Sequence, residues 1–170
     1  TMIFRVFFSL TLFSSLVAAD TNNSVELLNN ALTQNYSFVE RSLSKSDLKI
    51  EESAGEILFN DHGFVVNVTS PFKERYEVNK DIITIHDIDL EQSRKIKLED
   101  VQSIFLNILL NGLKTVSDIY LIKDNDYPNF MVVPLDDSSA INFIFDQNNL
   151  SLIRYTDSLG IEHGIELTKL

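Results

Sequence analysis

The stretch ILFNDHGFVVNVTSPFKERYEVNKDIITI, from Ile57 to Ile85, decides the fold class. Within it Ile57/Phe59, Phe64/Val66/Val68, Tyr76/Val78 and Ile83/Ile85 alternate with mostly polar residues. The breaks fall at Asp61-His62-Gly63, Ser70-Pro71 and Asn79-Lys80-Asp81. A side-chain period of two, interrupted by turn formers at short intervals, is the pattern of antiparallel strands joined by hairpins.

Working outward, Gln92 to Leu98 alternates again, with Ile96 and Leu98 on one side and Lys95 and Lys97 on the other. Further strands are expected over Asp118–Lys123, Asn129–Pro134, Ala140–Phe145, Leu150–Thr156 and Ile161–Leu167. Two segments break the strand period. Over 23–32 the spacing of Val25, Leu28 and Leu32, with Asn23 and Glu26 placed as in a capping box, predicts a helix. From about Glu99 to Asn111, two acids, the series Val101, Ile104, Phe105, Ile108 and a following Gly112 predict a second. Leu106, Leu109 and Leu110 widen its apolar stripe, so it must meet apolar surface on more than one side. Eight to eleven strands with one apolar face, plus two helices, give a mainly β, α+β fold. The expected architecture is a strongly curved antiparallel sheet, an unclosed half-barrel, whose concave face the helices cover. Its inner aromatics and branched aliphatics could form a packed core or line a cavity, and periodicity does not separate the two.

Composition agrees with one globular domain: of 170 residues, 44% are hydrophobic and 23% charged, with only 5 Gly and 3 Pro, which excludes disordered and collagen-like chains. The balance of 14 Lys+Arg against 25 Asp+Glu gives a net charge of -11, which repels phosphate backbones and argues against nucleic-acid partners. The absence of Cys excludes disulfides, thiolate catalysis, cysteine zinc sites and a lipidated N-terminal cysteine. At the N-terminus, Arg5 precedes an uncharged run from Val6 to Val17 that ends in Val17-Ala18-Ala19 before Asp20. This reads as a cleaved secretory signal peptide over residues 1–19, too short for a span of about 20 apolar residues. It leaves a single domain over 20–170 with a net charge of -12, from 13 basic and 25 acidic side chains. A cysteine-free acidic exported chain fits the periplasm.

Catalytic chemistry finds little support. In His86-Asp87-Ile88-Asp89 strand alternation splits the histidine from the acids, and His62 and His163 have no ligand-like neighbours at useful spacing. Glu51-Glu52 and Asp136-Asp137 read as solvated charges. There is no GxSxG, Walker-type loop, HExxH or EF-hand pattern. No enzymatic activity, metal or cofactor is expected.

Gly55-Glu56-Ile57-Leu58-Phe59, then Phe64-x-Val66, Ser70-Pro71, and His86-Asp87-Ile88-Asp89-Leu90-Glu91-Gln92 together resemble the periplasmic outer-membrane lipoprotein carrier family, LolA. The resemblance continues in order through the apolar helix, the strand of Phe143 and the turn Asp157-Ser158-Leu159-Gly160. Two departures stand out. The family's Arg-Pro pair is replaced by Asp61-His62-Gly63, and its tryptophan by Val66. The family arginine is associated with holding a helical lid shut through backbone carbonyls, bonds an aspartate cannot donate. The lid here would then be held mainly by apolar contacts, with Arg75 or Arg94 the first candidates for a substitute latch.

The resemblance implies a monomeric chaperone that takes acylated lipoproteins from an inner-membrane lipoprotein-releasing ABC transporter and passes them to an outer-membrane lipoprotein acceptor. That acceptor is itself a lipoprotein, so the absence of cysteine favours the carrier. Exposing acyl chains to water costs roughly 0.8 kcal/mol per methylene, so a carrier needs an apolar groove and a movable lid and no catalytic residue. The groove would be formed by Ile57, Phe59, Phe64, Val66, Val68, Ile141, Phe143 and Phe145, and the lid by Ile104, Phe105 and Ile108. An acidic surface would suit docking on basic partner patches. The alternative is a lipid- or lipoprotein-sensing module of the same fold without a transport role.

Overall fold

The computed structural model describes residues 15–170, with side chains from residue 21 on; of the expected signal peptide over 1–19, residues 1–14 lie outside the described residues and 15–19 fall in the first helix. Helix α1 (Ser15–Ala31) leads into β1 (Tyr36–Ser44), β2 (Lys49–Asn60), β3 (Gly63–Ser70), β4 (Glu74–Asn79), β5 (Ile82–Asp87) and β6 (Gln92–Lys97). A short 3-10 turn (Leu98–Asp100) and helix α2 (Ile104–Asn111) interrupt the strands. Then follow β7 (Tyr120–Asp124), β8 (Phe130–Pro134), β9 (Ile141–Asp146), β10 (Asn149–Thr156) and β11 (Ile161–Lys169). The eleven strands of the described residues form one antiparallel sheet in the order β6-β5-β4-β3-β2-β1-β11-β10-β9-β8-β7. It stays unclosed, a half-barrel of the expected α+β class.

Three local expectations need correction. Strand β1 was not anticipated as a strand of its own, because its inner series Tyr36, Phe38, Glu40, Ser42 turns polar halfway along. Helix α1 runs through Asn23, so that residue is not its N-cap. Helix α2 begins at Ile104, five residues later than expected: Glu99 and Asp100 sit in the 3-10 turn, and Val101 is extended. Ser103 is the true cap, its hydroxyl accepting from the Leu106 amide at 3.2 Å, a bond that neither acid makes. The C-terminus ends as expected: Gly112 takes φ 72° and its amide donates to the Ile108 carbonyl at 2.8 Å.

The helices divide the concave face. Leu28 and Ala31 of α1 and Ile108 of α2 pack with Phe130, Phe143, Phe145, Leu150 and Ile153 in the larger core cluster. A smaller cluster of Phe64, Val78, Ile83 and Ile85 meets Leu106, Leu109 and Leu110 on the other side of α2. The wide apolar girth of α2 is thereby accounted for, since it lies between two cores. One sheet edge, β7, is held to α1, where Ser24 and Thr21 donate to the Asp124 carboxylate at 2.7 and 3.3 Å. The other edge, β6, carries Arg94, Lys95 and Lys97, all exposed.

The acidic run after His86 is a structural turn. Asp87 accepts from the Leu90 amide at 2.9 Å, and Asp89 from the Lys73 amide at 3.0 Å, while Lys73 returns its carbonyl to the Ile88 amide. These bonds tie the β5–β6 hairpin to the β3–β4 turn. His86 pairs with Ser93 at 2.8 Å.

Candidate functional site

Between α2 and the inner face of β1–β5 lies a cavity of about 750 Å³, a volume typical of small-molecule sites. Its apolar wall includes Phe38, Phe64, Val66, Val68, Val78 and Ile83 from the sheet, and α2 covers it with Phe105, Leu106 and Leu109. The strand period explains the wall: Phe59↔Phe64 and Ile57↔Val66 pair across β2 and β3, and Phe64↔Val78 and Val66↔Tyr76 across β3 and β4, so alternate residues share one face.

The groove and lid residues named from sequence fall into distinct places. Phe64, Val66, Val68 and Phe105 line the cavity. Ile57 and Phe59 are partly buried and pack against both core clusters. Ile141, Phe143 and Phe145 are buried in the larger cluster; Phe143 is 0% exposed and stacks on Phe130 with ring centroids 5.3 Å apart. Ile108 is fully buried core, and Ile104 lines a smaller crevice at the start of α2. Leu106 and Leu109, read from sequence only as widening the stripe, cover the cavity.

The polar parts were largely illegible in the sequence. His163 lies between two carboxylates, Nδ1 2.7 Å from Glu40 and Nε2 3.2 Å from Asp157, and it lines the cavity. Its ring stacks on Tyr155 at 4.7 Å and 8°, and Tyr155 in turn meets Phe105 at 4.7 Å. Burial, and then the charges of Glu40 and Asp157, raise the Tyr155 phenol well above its ordinary value. On the facing wall Tyr76 donates to Glu74 at 2.5 Å. Burial first, and this bond second, push the Tyr76 phenol up to about 12. Glu40 and Asp157 sit on opposite ring nitrogens of His163, so the three groups do not converge on one point. Among the described residues no group of three or more His, Asp or Glu is placed to hold a metal ion.

Arg75, a candidate for a substitute latch, has its recorded partners away from α2. Arg75 donates to Glu77 at 2.8 Å and Asn67 at 3.4 Å, partners on its own strand and the next rather than on α2. Asp61 is exposed in the β2–β3 turn. The polar bonds at the end of α2 come from Asn29 and Tyr120. Asn29 bonds both the amide and the carbonyl of Leu113, at 2.7 and 3.0 Å, and the Tyr120 hydroxyl accepts from the Lys114 amide at 2.9 Å.

No family profile matches the chain, and no curated protein does. Among solved structures, a LolA superfamily protein from Nitrosomonas europaea superposes with a TM-score of 0.53 at 9% identity, covering 88% of this chain and 90% of that one. At that identity the likeness is one of fold: the chain shares the unclosed, helix-covered sheet of a LolA superfamily protein.

Proposed function

We propose that this chain is a periplasmic carrier that holds the acyl chains of lipoproteins beneath α2 and conveys them from the inner to the outer membrane. The observation that carries the reading is the apolar cavity between α2 and the sheet. Its wall of phenylalanines and branched aliphatics offers acyl methylenes an environment worth roughly 0.8 kcal/mol each over water. The cover is a single eight-residue helix bounded by a serine cap and a glycine, which can move without unpicking the sheet. The fold shared with a LolA superfamily protein supports the same reading. The donor would be an inner-membrane ABC transporter, the receiver an outer-membrane acceptor, and Phe64, Val66, Val68 and Phe105 the residues touching acyl chains.

The test is mass spectrometry of material co-purified with the chain from a periplasmic extract. Acylated lipoprotein, lost when Val66→Asp places a charge in the cavity, is the expected result. Recovery of the chain without acylated material, together with no uptake of an uncharged apolar fluorophore, would overturn the reading.

A further inference from the structure

The cavity is graded along its strands, and the grading is in register. The inner series of β1 runs Tyr36, Phe38, Glu40, Ser42, opposite Ile57, Gly55, Ser53, Glu51 of β2 in that order. On the other flank Leu167, Ile165 and His163 of β11 stand beside Phe38, Glu40 and Ser42. Strand β4 repeats the step from Val78 through Tyr76 to Glu74, and Glu74 pairs across β3 with Val68. One end of the cavity is therefore hydrocarbon, and the other collects carboxylates and hydroxyls beside Val68, Pro71 and Phe72.

Apart from the His163 imidazole, the polar end has charges of one sign. Glu40, Glu51, Glu52 and Glu74 line the cavity, and no lysine or arginine among the described residues does. Glu51 and Glu52 have ion partners at the mouth, Lys49 and Arg41, with all four side chains more than half exposed. Glu40 and Glu74 are different: their recorded polar partners are His163 with Ser53, and Tyr76, none of them a fixed cation. Arg94, two strands away on β6 and in register with Tyr76 through Ile85, is near enough to act on that phenol but does not line the cavity. An anionic head group placed here would face Glu40 and Glu74, whose own hydrogen-bond partners are an imidazole and two hydroxyls, in a site partly shut off from water. An ammonium would find two acceptors.

From this geometry we propose that the cavity takes an acyl amphiphile whose head carries a cation, a free amine above all, with the chain directed toward Phe64, Val78 and Ile83 and the ammonium held between Glu40 and Glu74. This specificity rests on the acyl-binding reading above. It makes the groove selective against phosphate, sulfate and carboxylate heads.

The test uses the full chain loaded with uncharged N-phenyl-1-naphthylamine and displaced by dodecylammonium, dodecyl sulfate or dodecyl maltoside, each below its micelle-forming concentration. Dodecylammonium should displace the fluorophore at a concentration at least about tenfold lower than dodecyl sulfate, with a margin that narrows in about 0.5 M salt. Glu40→Gln and Glu74→Gln should each narrow it further at low salt, with circular dichroism confirming the fold; the salt series on the unaltered chain gives the answer independently of those variants. Displacement by the maltoside, with sulfate as effective as ammonium, would overturn the head-group proposal and leave acyl binding standing. Failure of the chain to take up the fluorophore at all would overturn both.

Discussion

Asn29 of α1 grips the backbone of Leu113 at both ends, its Nδ2 donating to the carbonyl at 3.0 Å and its Oδ1 accepting from the amide at 2.7 Å. The pair joins the two helices just beyond the end of α2, at a residue only 4% exposed. Asn29→Ala strands an amide and a carbonyl, at about 1–3 kcal/mol for a buried unpaired group. The expected outcome is faster amide exchange across residues 104–111 and a lower urea midpoint. Unchanged exchange there would show that this pair does not hold the end of α2.

Gly112 faces the same asparagine. At φ +72° and ψ -177° an added Cβ would lie 2.5 Å from the Asn29 Oδ1, so an alanine meets both a nearly glycine-only backbone conformation, at about 1–3 kcal/mol, and a collision. Gly112→Ala should therefore destabilise the chain, and by less when Asn29→Ala is already present. A double-mutant cycle by denaturant titration measures that coupling, and strict additivity would refute it.

Phe143 and Phe105 should separate core from cavity. Phe143 is fully buried against Phe130, and its truncation to alanine should cost about 3–5 kcal/mol while the remaining folded protein takes up an apolar fluorophore as before. Phe105 is partly buried and closes the cavity. Phe105→Ala should weaken fluorophore uptake at a smaller cost in stability. Thermal melts and fluorescence titration of the two variants, side by side, give the comparison.

Acid should act through Asp157. Burial alone would raise its pKa, but the Ile161 amide, His163 and the Leu159 amide together hold it below the ordinary carboxylate value. A carboxylate depressed in the folded state contributes stability above its unfolded pKa, about 3.9, and loses it as pH falls through the folded value. Asp157→Asn should therefore flatten the acid limb of the stability profile below about pH 4, read from urea midpoints across pH. An identical limb would assign that loss to other carboxylates.

The sheet was legible because β3, β4 and β5 set Phe64, Val66, Val78, Ile83 and Ile85 on one face and mostly polar residues on the other. The same rule hid β1: its inner face crosses from core to polar rim at Glu40, and a half-apolar strand has no period to read. The start of α2 was misplaced because Glu99 and Asp100 have the charge that helix starts favour, whereas a single hydroxyl bond at Ser103 sets the start. Local pattern could not place His163 beside Glu40, since the two are 123 positions apart and meet through the β1–β11 ladder. Asn29 reads as an ordinary polar position on an amphipathic helix until Leu113 arrives from 84 residues downstream.

An unclosed barrel has two seams, and they are guarded by different means. The seam at β7 is bolted to α1 through Asp124. The seam at β6 offers a row of backbone donors and acceptors on which another strand could build, with only Arg94, Lys95 and Lys97 to discourage it. A second copy adding there edge to edge would bring three cations against three, so a chain that is acidic overall carries a basic hem that opposes such pairing. Electrostatic protection of that kind fades with ionic strength.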